Sequence, residues 1–178
     1  LLLCLLFAAC GAITPTPPPD TATIPPGTFG PFDNDTAAIN LASWAFAVPA
    51  HTEGDPVVAA RAAAAVDYLA GELSTNPRWL GVSALTKMQM LQARIAVRRV
   101  LGIVPDATSQ GVVDALLGFV SAWLAGNQPA AMQSLAAPIF TLPPDQVFRI
   151  LSNMPYVQSA NIATSNAVSG MLLGASSD

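Results

Sequence analysis

The chain has 178 residues, enough for one domain with a real core and too few to expect two. Hydrophobic residues make up 52% and charged residues only 10%, far below the roughly 25% usual for soluble domains. The net charge of −4 gives no support for a nucleic-acid partner, which needs a basic surface. Much of the apolar fraction is alanine, a residue that favours helix and lets helices approach closely.

Residues 1–9, LLLCLLFAA, form a short apolar run ending in small residues, the shape of a secretory h-region and its cleavage zone, and are kept out of the fold. The chain starts without Met or a basic n-region, so the natural start is expected upstream of Leu1. Phe7-Ala8-Ala9-Cys10 resembles the lipobox of bacterial lipoproteins, in which small residues precede an invariant cysteine. The resemblance covers these few residues only, and Phe7 stands where leucine is usual. It implies cleavage before Cys10, a diacylglyceryl group on its sulfur and, with Gly11 rather than Asp following, an outer-membrane anchor facing the periplasm. The alternative is a plain signal peptide with both cysteines incidental. Without Cys4, and with Cys10 acylated, no disulfide is available and stability rests on packing.

Residues 10–32 carry the anchor and a Pro-rich stretch. Pro15, Pro17, Pro18, Pro19, Pro25, Pro26 and Pro31 argue against helix and strand and predict an extended polyproline-II tether. The helical domain is expected over 33–178. Asp33-Asn34-Asp35 offers caps for a first helix with Ala38, Leu41, Ala45 and Val48 on one face, ending at Pro49. Asp55-Pro56 starts a second, to about Leu73, with Val58, Ala62, Ala65, Leu69 and Leu73 inward. After Asn76-Pro77-Arg78-Trp79 a third runs from about Ser83 to Leu101 and stops at Gly102, its core face read as Leu85, Met88, Leu91, Ile95 and Val100.

Gly111 to Ala125 is apolar on almost every side, the mark of a helix in the middle of a core or in a membrane. It is shorter than the roughly 20 residues needed to span a bilayer and carries Asp114, so it is assigned as the central helix. Pro129 starts a short fifth helix and Pro144 a sixth with Val147, Ile150 and Leu151 inward. The last runs from Tyr156 to about Leu173 with Val157, Ala160, Thr164, Val168 and Met171 on one face. No segment alternates at period two and no fixed repeat recurs. The expected fold is all-α, a single irregular bundle of five to seven helices behind the tether.

Four of the seven basic residues, Lys87, Arg94, Arg98 and Arg99, fall on the third helix. They read either as an electropositive strip for lipid headgroups, polysaccharide or an acidic partner, or as a solvated face paired with Asp67 or Glu72. Arg78-Trp79 is either a ligand-stacking pair or a plug beneath its loop with Arg78 paired to an acid. His51 is the sole histidine, lies near Glu53 and Asp55, and matches no zinc spacing. Any Ser-His-Asp triad has to use it, and the chain has no G-x-S-x-G elbow, P-loop or Gly-rich dinucleotide turn. No cofactor or metal is expected. The leading expectation is a non-enzymatic envelope lipoprotein, bound to the membrane through Cys10, that presents its helical domain to an envelope protein or polymer. The interaction surface is expected at Lys87, Arg94, Arg98, Arg99, Arg78 and Trp79. The alternatives are a periplasmic carrier for a small apolar ligand and a hydrolase using His51.

Overall fold

The computed structural model describes residues 20–175 and is an all-α bundle of seven helices. They are α1 (Asn34–Ala47), α2 (Pro56–Thr75), α3 (Ala84–Val100), α4 (Ser109–Leu124), α5 (Gln128–Ser134), α6 (Pro144–Ser152) and α7 (Gln158–Ala175). Single 3-10 turns at Pro49–His51 and Pro77–Trp79 sit in the first two connections. Among the described residues there is no strand, only an isolated antiparallel bridge between Ile103 and Phe140. No described helix is long and apolar enough to cross a membrane.

Side-chain caps start most of the helices where the sequence places them. Asp33 accepts from the Thr36 N–H, Asp55 from the N–H groups of Val57 and Val58, and Ser83 from that of Thr86. Thr108 and Asn127 do the same for α4 and α5. Each cap satisfies a backbone donor that the first helical turn leaves without a partner, worth about 1 kcal/mol.

The bundle is organised around α2, not around the helix the hydropathy pattern singles out. α2 packs against α1, α3, α4 and α6, and its alanines from Ala59 to Ala70, with Val66, Leu69 and Leu73, are all buried. Alanine has little hydropathy to advertise this, but its single methyl lets four neighbouring backbones come close at once. α4 is one-sided by comparison. Val112, Val113, Leu116 and Phe119 face the core, while Asp114 and Ser121 are exposed and Leu124 is 71% exposed. α5 and α6 cover part of its outer side: Ser134 closes directly over Gly118, and Trp123 packs on Phe148 with ring centroids 4.9 Å apart. α7 fills the groove between α1 and α3 with Ala160, Ala163, Thr164 and Ala167.

Two further expectations are corrected. The inward face of α3 is Thr86, Met90, Ala93 and Val97, joined by Arg98. Leu85, Met88 and Ile95, expected in the core, are more than half exposed, and Leu91 and Val100 are half-buried. The helix carries two apolar stripes, and its rotation is set by Arg98 turning inward to Asp67.

The second correction is to the tether. Residues 12–19 of it lie outside the described residues, but 20–32 lie packed on the bundle. Ala22 and Phe29 are buried, Arg61 donates to the Phe29 carbonyl at 2.9 Å, and Asn34 donates to the Pro25 carbonyl at 2.9 Å. Proline removes backbone donors but leaves every carbonyl, and here the helices supply the donors. The segment crosses α2 at Gly71, where a Cβ would stand 2.6 Å from the Asp20 carbonyl oxygen, so only glycine lets it pass. The packed body therefore includes residues 20–32 as well as those from 33 onward.

Because Ala64 is fully buried among closely packed alanines, Ala64→Leu is expected to cost about 1–3 kcal/mol through overpacking. Leu124→Gln, on the exposed end of α4, is expected to stay within about 0.5 kcal/mol of wild type. Urea unfolding of the two variants measures both.

Candidate functional site

The basic residues of α3 divide into two that are used by the fold and two that are not. Arg98 is turned into the bundle, where its Nε and Nη2 donate to the two oxygens of Asp67 on α2, each at 2.7 Å. Its Nη1 donates to the Ala107 carbonyl at 2.7 Å, and Nη2 also reaches Ser109 Oγ at 3.2 Å and Asp20 at 3.4 Å. The Arg98 and Asp67 side chains are 7% and 3% exposed. Burial works against the Arg98 charge, but the Asp67 hydrogen bonds and the Asp67 and Asp20 charges outweigh it and hold its pKa above the ordinary value.

Asp20 completes this cluster from the N-terminal segment. Its carboxylate accepts from the Ser109 N–H at 2.7 Å, at the first turn of α4, and from Ser109 Oγ at 3.0 Å. Arg94 Nη1 lies 3.3 Å from Asp20 Oδ2 and donates to Ser109 Oγ at 3.0 Å. Partial burial opposes ionisation of Asp20, yet the Ser109 hydrogen bonds and the Arg94 and Arg98 charges bring its pKa below 3.8. Sequence reasoning missed Asp20 and Ser109. The only signal was that Asp20 is the sole acid in the Pro-rich stretch.

Beside the cluster lies a cavity of about 340 Å³ lined by Asp20, Arg94, Ile95, Arg98, Arg99, Ile103 and Pro105. Polar and apolar walls meet here, as they do in small-ligand sites. Arg99 is exposed on its rim and Lys87 is half-exposed two turns and more toward the start of α3. Neither makes an ion pair among the described residues. The expected strip of four cations is thus reduced to Lys87 and Arg99 on the surface, with Arg94 and Arg98 drawn behind it.

Arg78 and Trp79 belong to a second cluster, built on Tyr68 of α2 and on Asp33 and Asp35 at the start of α1. Trp79 is buried, and its Nε1 donates to Asp35 Oδ2 at 2.9 Å, while Tyr68 Oη donates to Asp35 Oδ1. Burial, followed by the Asp35 hydrogen bond and charge, pushes the Tyr68 phenol well above its usual pKa. Arg78 pairs with Asp33 at 2.6 Å and lies over the Trp79 ring, 4.8 Å from its centroid. The Arg78 hydrogen bond holds the Asp33 carboxyl well below the usual carboxylate range. Trp79 is a plug under its loop, so it is not available as a contact surface, and only Arg78 is half-exposed.

His51 stacks on Trp44, with ring centroids 4.4 Å apart and planes within 8°, and its Nδ1 is hydrogen-bonded to the Trp44 carbonyl. No group of three metal-ligating side chains occurs among the described residues. Cys10 lies outside the described residues. Comparison with protein-family models, curated proteins and solved structures finds no match for this chain.

Removing one member of the buried pair leaves a charge without a partner, so Asp67→Ala is expected to cost about 3–5 kcal/mol in urea unfolding. The apolar replacement Asp67→Leu with Arg98→Met is expected to recover most of that loss. A depressed carboxyl stabilises the fold above its unfolded pKa and loses that contribution as pH falls through its folded value. Acid titration of stability from about pH 5 downward is therefore expected to be steeper for wild type than for Asp20→Asn, the two curves converging at the acid end.

Proposed function

We propose that this chain is a non-enzymatic envelope lipoprotein, acylated at Cys10 and held at the outer membrane on its periplasmic side, that presents its helical body to an envelope protein or polymer. The observation that carries this reading is the outer face of α3. Leu85, Met88 and Ile95 stand exposed on it at 58%, 54% and 56%, Lys87 and Arg99 flank them, and the helix contains no acid. A soluble helix seldom leaves three large apolar side chains aligned in water unless a partner covers them. The polar groups of the interior support a non-enzymatic role. Asp35 accepts from Tyr68 and Trp79, Asp67 accepts from Arg98, Ser109 donates to Asp20, and His51 is stacked and tied to a carbonyl.

A second reading, a carrier for a small ligand, is favoured by the cavity at the C-terminal end of α3. Its polar part makes it a site for a ligand with a charged end rather than a purely apolar one.

The first reading is tested by in-cell crosslinking from a photoreactive residue at Met88, with Leu124 as the control position, in Cys10 and Cys10→Ala chains. The expected result is one envelope species captured at Met88, dependent on Cys10, and none at Leu124. Equal membrane partition of the Cys10→Ala chain without detergent overturns the anchor. Equal capture from both positions overturns the α3 face.

A further inference from the structure

We propose that the cavity between Arg94, Arg99, Ile95 and Ile103 binds a small amphiphilic monoanion, a carboxylate head on a short hydrocarbon chain. The proposal rests on the carrier reading and names its ligand class. Its basis is what the fold leaves over at this one place.

Arg98 is saturated: its Nε, Nη1 and Nη2 all donate to Asp67, Ala107, Ser109 or Asp20. Arg94 is different. Its Nη1 serves Asp20 and Ser109, while its Nε and Nη2 donate to no group among the described residues. Its side chain, which lines the cavity, is only 16% exposed. Arg99 adds a second guanidinium at the rim. A guanidinium presents its N–H groups as a planar fork that matches a carboxylate, and such charge-assisted bonds are roughly twice as strong as neutral ones.

Charge sets the valence of the ligand. Three guanidiniums line the cavity, and the carboxylates bonded to them are Asp20 and Asp67. One positive charge is left over, which a monoanion balances and a phosphate dianion exceeds. The remaining wall is hydrocarbon, from Ile95, Ile103 and Pro105. Ile95 belongs to this wall as well as to the outer face of α3. At about 340 Å³ the space suits a small molecule and stands near the lower end of ligand cavities.

The test is titration of the purified full chain with octanoate, following the Ile103 methyl and Arg99 Nε–H resonances by NMR, with 1-octanol and octylammonium as probes of equal chain length. Octanoate is expected to saturate both signals at one molecule per chain, and octylammonium to leave them in place. Arg99→Gln is expected to weaken octanoate about tenfold, the loss of one charge-assisted hydrogen bond. Ile95→Glu, which puts a like charge at the mouth, is expected to abolish binding; both positions are exposed, so neither change disturbs the core. Octanol binding as tightly as octanoate overturns the anionic assignment while keeping a ligand carrier. Undiminished octanoate binding in both variants overturns the assigned site, and no response to any of the three probes overturns the proposal and the carrier reading together.

Discussion

One guanidinium joins four parts of this chain. Arg98 is held by α2 through Asp67, by the loop before α4 through the Ala107 carbonyl, by α4 through Ser109 and by the N-terminal segment through Asp20. A buried ion pair adds little net stability, because the desolvation of two charges nearly cancels their attraction. Its consequence is geometric. Five N–H donors in a rigid plane admit few arrangements, so once Arg98 meets Asp67 the rotation of α3 about its axis is set. The exposed Leu85, Met88 and Ile95 follow from that rotation, as does the position of Arg94 and Arg99 beside the cavity.

The second constraint is size. α2 is surrounded because its alanines permit it, and the N-terminal segment can cross it because Gly71 has no Cβ. Small residues give up hydrophobic area per side chain but gain close backbone approach, and packing density rather than bulk then supplies the cohesion. Large aromatic side chains gather in the Phe119–Trp123–Phe148 cluster under α6 and in the Phe29–Tyr68 contact under the N-terminal segment.

These two constraints divide the polar residues by purpose. The Asp35–Tyr68–Trp79 and Asp20–Arg98–Asp67 clusters close on themselves, each fixing where a loop or terminal segment lies on α2. The outer face of α3 and the cavity at its end stay open to solvent, with Arg99 and two nitrogens of Arg94 making no hydrogen bond among the described residues. A partner on the apolar face and an anion at the guanidiniums are the two proposed uses of that remainder.

Local chemistry alone determined much of this architecture. Caps, prolines and glycines act within a few residues, so most helix boundaries, the all-α class and the plug role open to Trp79 could be read from sequence, while the acid paired with the basic face of α3 stayed open between Asp67 and Glu72. What tertiary structure decided was orientation. α3 has two apolar stripes that periodicity weighs equally, and only Asp67, from another helix, selects between them. Hydropathy ranked α4 above the alanines of α2, because a scale that counts side-chain area cannot register how closely four neighbours approach. The Pro-rich residues 20–32 looked free because their prolines argue against helix and strand, whereas the donors that hold them, Arg61, Arg94, Arg98 and Ser109, lie far along the chain and reach them only once the bundle has formed.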